Sequence, residues 1–250
     1  MTDTSFTAVY SQALQGNDCH VVGLEERPVR LPVDAWTREA DQADQVLLDL
    51  CRGPTLDIGC GPGRLTIALA ARREVVLGID IVHEAVGQTR LRGGAAQLCD
   101  VFLETPGEGE WGTALLADGN IGIGGDPVML LTRVRELLGP GGRVVVELKA
   151  PGVAQQKMWA TLQCGGATSR PFRWAVVGVD DIDEVAACAG LVVTARGPVG
   201  PRWATVLEEP QCACKPSHRR GSHRGCAART SPHRSGSGSA SASASASSPV

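Results

Sequence analysis

The chain predicts an α/β fold, a doubly wound and mainly parallel sheet finished by a terminal antiparallel hairpin. Three observations carry that expectation. From Pro54 onward, β-rich runs alternate with helical stretches (TLDIG, LTIALAARR, VVLGID, HEAVGQTRLR, AQLCD), the pattern of parallel strands joined by crossover helices. Residues 143–148 form an apolar VVVEL run without alternation, as in a strand covered on both faces. Near the end, LVVTA and RWATVLE flank GPVGP and read as a hairpin.

In chain order, residues 6–14 predict a helix, and HVVGL and PVRLPV read as irregular or strand-like chain. This segment, residues 1–37, is placed to lid a cofactor. Ala43, Val46, Leu47, Leu50 and Cys51 follow helical spacing and lead into the first strand of a domain spanning residues 38–210. The fourth strand falls at 113–117. Asp126 and Pro127 then supply an N-cap and a first-turn proline to a helix with an apolar stripe of Met129, Leu130, Val134, Leu137 and Leu138, stopped at Gly139-Pro140. Asp181 can cap a helix carrying Ile182, Val185, Ala186 and Ala189, which Gly190 ends. Residues 211–250 hold almost nothing apolar and finish in a Ser/Ala run, so a disordered basic tail is expected there.

Composition narrows the function. Hydrophobic residues make up 43% and charged residues 20% of the 250 residues, the balance of a soluble globular protein, and no apolar run reaches the roughly 18 residues of a membrane span. The first thirty residues lack a basic start followed by an apolar stretch, so the cytoplasm is the expected compartment. Nine cysteines, an odd number, read as small buried hydrophobes more than as a disulfide framework. The tail holds 6 of the 24 Lys and Arg and none of the 27 Asp and Glu, which leaves residues 1–210 with 18 against 27, or −9. So acidic a body is a poor generic binder of polyanions and favours a small or neutral partner over nucleic acid.

The chemistry concentrates in LDIGCGPGRL at 56–65, an apolar strand that runs through a glycine turn into a helix. Glycines at 59, 61 and 63 let the backbone turn tightly and approach a ligand, with the free amides of the helix facing the same spot. Asp57-Ile58-Gly59-Cys60-Gly61-Pro62-Gly63 resembles the D/E-x-G-x-G-x-G motif of class I S-adenosylmethionine-dependent methyltransferases. The resemblance implies S-adenosylmethionine as cofactor, with Asp57, Gly59, Cys60, Gly61 and Gly63 along its amino-acid portion. Asp80, ending VVLGID, would accept the ribose hydroxyls, with Ile81 flanking the adenine. Asp100, with Val101 after it, would accept from the adenine amino group. Asp118 and Asn120, after the fourth strand, would border the transferred methyl and are the active-site candidates, with Asp118 also counted among the cofactor residues. An ordinary turn at Asp118-Gly119-Asn120 competes with that reading.

The third glycine comes one residue early for the dinucleotide spacing G-x-G-x-x-G, which makes a nicotinamide-dependent oxidoreductase the alternative, beside a non-catalytic cofactor-binding module. The loop after the fourth strand lacks the N/D-P-P-Y/F pattern and the Pro-Cys pair, which turns the resemblance away from two nucleic-acid-modifying classes. Residues 151–180 are short, leaving little room for an inserted recognition domain and favouring a small-molecule acceptor by elimination. Tyr10, His20, Trp36, His83, Glu147 and Lys149 could touch an acceptor, and none is nominated as a base. Cys212, Cys214, His218, His223 and Cys226 lack a familiar zinc spacing, so no metal site is expected. The sequence leaves the acceptor and the oligomeric state open.

Overall fold

The computed structural model describes residues 3–210, and its main sheet is assembled from the runs read above as strands. In chain order the elements are β1 (Asp3–Thr4), α1 (Phe6–Leu14), β2 (Cys19–Val22), β3 (Val29–Arg30), α2 (Val33–Thr37), α3 (Gln42–Leu48), β4 (Thr55–Ile58), α4 (Arg64–Ala71), β5 (Val76–Asp80), α5 (His83–Leu91), β6 (Ala96–Leu98), β7 (Trp111–Leu116), a 3-10 segment (Asn120–Gly125), α6 (Pro127–Leu137), β8 (Leu138–Leu148), β9 (Gln156–Cys164), β10 (Ala167–Ser169), β11 (Phe172–Val176), α7 (Ile182–Cys188), β12 (Val192–Val199) and β13 (Arg202–Glu208).

Seven strands form the main sheet in the order β12-β13-β8-β7-β4-β5-β6. From β8 to β6 the pairing is parallel, and β13 and β12 add the antiparallel hairpin expected at the end of the chain. The strand order reverses between β4 and β7, and open α/β sheets hold ligands at the carboxyl ends of strands beside such a reversal.

Side-chain alternation explains how both faces are covered. Ala114, Leu116, Val144 and Val146 pack with Leu130, Leu131 and Val134 of α6 and Ile182 and Val185 of α7. Their neighbours Leu115 and Val145 pack on the opposite face with Leu47 and Leu48 of α3 and Leu65 and Leu69 of α4. Both layers are apolar, which is why the strands read as continuous hydrophobic runs. Asp126 caps α6 as expected, accepting from Met129 N at 3.3 Å. Asp181 stands at the N-cap of α7 but makes no capping bond, because its Oδ2 accepts instead from Gln155 N at 2.6 Å and ties down the chain leaving β8.

The larger departure from the sequence reading is a second sheet. β9 pairs antiparallel with β2, β10 and β11, β2 pairs with β3, and β1 pairs parallel with β10. Residues 151–180 therefore carry part of a second sheet, because the N-terminal segment supplies its other half. Neither half buries enough apolar surface alone, so neither reads as a sheet by itself. α1 packs on this sheet through Val9 and Ala13 against Val21, Ala160 and Leu162.

The β2-β9 register sets Cys19 opposite Cys164, and the two form a disulfide across 145 residues. This corrects the reading of all the cysteines as unpaired hydrophobes, and such a separation leaves no spacing signal. Cys51 and Cys60 are buried free thiols, as expected. Among the described residues no helix is long and apolar enough to cross a membrane, and no group of three or more His, Cys, Asp or Glu could hold a metal. The 211–250 tail, with its cysteines and histidines, lies outside the described residues.

Gly122, in the 3-10 segment after β7, lies tightly against β11 of the second sheet. A Cβ there would lie 2.2 Å from the Ala175 carbonyl oxygen and 2.7 Å from the Trp174 ring. Gly122→Ala is expected to cost about 1–3 kcal/mol, the range for overpacking, and to lower the urea midpoint. Gly87→Ala, in α5 with nothing within 4 Å of the added carbon, is the contrasting control and should hold or raise the midpoint.

Candidate cofactor site

The glycine turn is pinned to β5 from behind, since Gly59 N and Cys60 N both donate to Ile79 O, at 2.8 and 3.0 Å. The three glycines serve different neighbours. A Cβ on Gly59 would lie 2.7 Å from Asn120 Nδ2, and one on Gly63 would lie 2.7 Å from the Thr89 hydroxyl, so these two are small to admit parts of the protein. Gly61, at φ +55°, faces open space, and a Cβ there would meet nothing within 4 Å. Its amide donates to Asp80 Oδ2 at 3.0 Å, and its carbonyl accepts from Thr89 Oγ1 at 2.9 Å. Gly61 is the place in the loop where a ligand can lie against bare backbone, a cradle that a side chain would fill.

The strand register brings the candidate acids to one edge. β6, β5, β4 and β7 are adjacent, and Asp80, Asp100 and Asp118 stand at or just beyond the carboxyl ends of three of them, with the glycine turn at the end of the fourth. Asp80 Oδ1 accepts from Val82 N at 2.8 Å, which, with the bond to Gly61, uses two of the four acceptor directions of a carboxylate and leaves two for a diol. Burial raises its pKa, partly offset by the amides of Val82, Gly61 and Ile81. Ile81 beside it is 46% exposed, an apolar face open to a flat ring. Asp100 Oδ1 accepts from Phe102 N at 3.0 Å, while Val101 turns its side chain into the core.

Other candidates face inward. Asp57 is buried and accepts from Thr66 Oγ1 at 2.6 Å, and Cys60 packs its thiol against Val86 and Ala96, so any contact Cys60 offers a ligand comes from its backbone. Asn120 spends its amide on the carbonyls of Ile58 and Gly59, both at 2.9 Å, and locks the loop to the 3-10 segment. The side-chain amide of Asn120 is thus committed to the turn that holds the loop. Asp118 has the left-handed φ of +52° typical of a turn, and both its carboxylate oxygens accept from Arg64 Nη2, at 2.7 and 2.6 Å.

Arg64 leads to a cluster that the sequence reading missed. Asp44, fully buried in α3, accepts from Arg64, from Arg202 Nη2 at 2.7 Å and from Arg38 Nη1 at 2.7 Å. Arg202 also holds Glu147 Oε2 at 2.9 Å, and that oxygen accepts from Asp118 N at 3.2 Å. Burial alone would raise the pKa of Asp44, but the bonds from Arg64, the Asp41 amide and Arg202 hold it well below the usual carboxylate range. A signal existed in the sequence: Arg64 opens α4, where a cation opposes the helix dipole and calls for an acidic partner. Of the residues weighed for acceptor contact, Tyr10 and Trp36 lie together with ring centroids 5.9 Å apart, Glu147 joins the ion cluster, His83 and Lys149 are exposed, and His20 lies in β2.

Removing the hub should be costly. Asp44→Ala takes the shared carboxylate away from Arg64, Arg202 and Arg38, which keep only Asp118, Glu147 and Asp41, and a loss of about 3 kcal/mol is expected in denaturant titration. Asp57 yields a pH test. Burial lifts its pKa from 3.8 to about 6, with the Asp118 and Asp80 charges adding to the rise and Thr66 and Arg64 opposing it. The folded state therefore binds a proton here that the unfolded chain has released, and stability falls as the pH rises through that window. Asp57→Asn, which can still accept from Thr66, should flatten the fall between about pH 4 and 6 relative to the unsubstituted protein.

Comparison with known proteins agrees with this geometry. Residues 55–142, from β4 into β8, match the methyltransferase domain family. A probable cobalt-precorrin-6B C(15)-methyltransferase (decarboxylating) of Methanothermobacter thermautotrophicus is 32% identical over 95 residues, covering 36% of this chain and 50% of that protein. The chain thus spans about half the length of that curated relative. The crystal structure of a SAM-dependent methyltransferase from Bacteroides fragilis with S-adenosyl-L-homocysteine superposes with a TM-score of 0.67 at 19% identity, over 80% of this chain and 92% of that one. The 1,6-didemethyltoxoflavin-N1-methyltransferase of Burkholderia thailandensis, solved with its acceptor and S-adenosylhomocysteine, gives 0.52 at 19% identity, over 71% and 82%. At such identities the likeness speaks for the fold. The glycine loop lies inside the segment that matches the methyltransferase domain family, and the sheet has the fold of these solved methyltransferases.

Proposed function

We propose that this protein transfers a methyl group from S-adenosylmethionine to a small-molecule acceptor. The observation that carries the reading is Gly61, the open position of the loop within the matched methyltransferase segment, coupled through its own amide to Asp80. The cofactor supplies a methyl already activated on a sulfonium, so the chemistry is an in-line displacement needing little from the protein beyond alignment, exclusion of water and a path for any acceptor proton.

In this reading the bare backbone at Gly61, with Gly59, Cys60 and Gly63 behind it, takes the amino-acid end of the cofactor. Asp80 accepts from the ribose, Ile81 lies on the adenine and the Asp100 carboxylate takes the adenine amino group, with Val101 lending only backbone. Asp57 supports the turn from within through Thr66. Asp118 borders the reacting end with both carboxylate oxygens held by Arg64, and no general base is assigned. The main domain spans 38–210, and the acceptor sits under the second sheet, which residues 3–37 build together with residues 151–176 of that domain. A small heterocyclic acceptor in the Burkholderia thailandensis neighbour favours a small molecule here, and the −9 charge of residues 1–210 argues against nucleic acid. The cytoplasm is the proposed compartment, and its reducing poise would hold Cys19 and Cys164 as thiols there.

Asp80→Ala should weaken S-adenosylmethionine and S-adenosylhomocysteine alike by about 1–3 kcal/mol in calorimetry, the cost of a lost buried acceptor. An unchanged affinity overturns the ribose role. Acceptors are sought by incubating metabolite extracts with methyl-labelled cofactor, and a screen without any labelled product, alongside tight cofactor binding, would favour a cofactor-binding module.

A further inference from the structure

The chain has three Phe, five Trp and one Tyr, and five of these side chains form a single connected row. Trp36 tilts against Tyr10 at 5.9 Å between centroids, and Tyr10 stacks on Phe6 at 5.5 Å. Phe6 meets Phe172 edge-on at 4.8 Å, and Phe172 meets Trp174 edge-on at 6.4 Å. Each of the five is only half-buried, so the row keeps ring surface in water.

The inner face of the second sheet accounts for that exposure. Phe172 and Trp174 stand on it beside their register partners Ala160 and Met158. α1 covers the part of this face built from Val21, Ala160 and Leu162, and leaves Met158, Phe172 and Trp174 half-buried. The uncovered part adjoins the cofactor crevice at both ends. Trp174 lies against the 3-10 segment that follows Asp118, so close that a Cβ on Gly122 would stand 2.7 Å from its ring. At the other end Phe6 and Tyr10 pack against Val82 and Ala85, just beyond Asp80. The row therefore runs from the end of β5 to the loop after β7, two strands that flank the one bearing the glycine turn.

Ring orientation narrows what can lie there. The planes of Phe172 and Trp174 stand at 85°, and those of Phe6 and Phe172 at 65°. Two rings near a right angle make a corner in which a flat conjugated guest meets one of them face to face and the other edge-on, the two arrangements aromatic pairs prefer. A saturated guest of the same size buries similar area and gains neither arrangement.

We propose that the methyl acceptor is a planar aromatic or heteroaromatic molecule seated in the corner of Phe172 and Trp174, with an oxygen or nitrogen on its edge turned toward the loop after β7. This rests on the function proposed above and names the substrate class of that same site. In the transfer a lone pair of the edge atom forms the bond to the methyl carbon, the carbon–sulfur bond breaks with its electron pair left on sulfur, and the proton of the acceptor passes to water.

The experiment is calorimetry of a naphthol and of its saturated counterpart, a decahydronaphthol, with the full chain loaded with S-adenosylhomocysteine. The naphthol is expected to bind the more tightly. Trp174→Leu, which stays apolar but loses the ring, should weaken the naphthol about three- to tenfold, the worth of an aromatic pair beyond its buried area, and change the decahydronaphthol by less than about twofold. Trp174→Phe should recover most of the loss, and both variants should hold S-adenosylhomocysteine as the unsubstituted chain does. A naphthol held no better than the decahydronaphthol, a Trp174→Leu chain that weakens both probes alike or neither, or a Trp174→Phe chain as weak as Trp174→Leu overturns the proposal while the proposed function stands. An unsubstituted chain that binds no S-adenosylhomocysteine overturns the proposed function and this inference with it.

Discussion

The carboxylate of Asp44 is the constraint on which the site is built. It is fully buried and receives three guanidiniums, from Arg38 just before α3, from Arg64 at the start of α4 and from Arg202 at the start of β13. Taking these charges out of water costs several kcal/mol per ion, which close pairing and additional hydrogen bonds offset. The arrangement admits few alternatives. Asp41 and Asp44 close a capping box on α3, so the hub is aimed by its own helix, accepting from the Asp41 amide at 3.0 Å. Through Arg64 it sets the first turn of the helix that follows the glycine loop, and through Arg202 and Glu147 it sets the backbone of Asp118. A charged cluster thus fixes the rim of the crevice from beneath, where apolar packing alone would allow sliding.

On that base the glycine loop divides its work. Gly59 and Gly63 are small because Asn120 and Thr89 press against them, and Gly61 is small toward empty space. The strongest motif in the sequence therefore serves internal packing at two positions and exposes backbone at one. Asn120 and Thr89 complete the loop from outside the motif, bonding to the carbonyls of Ile58, Gly59 and Gly61. Neither residue is part of the glycine pattern, and both would be missed by a reading confined to it.

The second sheet closes the opposite side. Its strands come from the N-terminal segment and from the stretch between β8 and α7 of the main domain, and β9 is the spine on which they meet. Lys157 on that strand pairs with Asp126 at 3.0 Å, and Gly122 nests under Ala175, so the layer is tied to the loop and helix that follow β7. The same layer supports α1 and, with it, Tyr10. This layer and the helix on it form one assembly that no contiguous stretch of sequence contains.

The main sheet, its terminal hairpin, helix α6 with its Asp126 cap, the glycine turn and the strand-end acids were all legible in the sequence. Each depends on forces that act within a few residues: the two-residue period of a strand, the helical stripe, the backbone freedom of glycine, a cap three residues from its amide. Only the tertiary structure decided that Asn120 binds the carbonyls of the glycine loop, that Asp181 abandons its cap for Gln155, that Cys19 meets Cys164 and that Asp44 gathers Arg202 from 158 residues away. Those choices follow from strand register and helix docking, which are set by the sum of many weak apolar contacts, and a sum of that kind leaves no period or spacing along the chain.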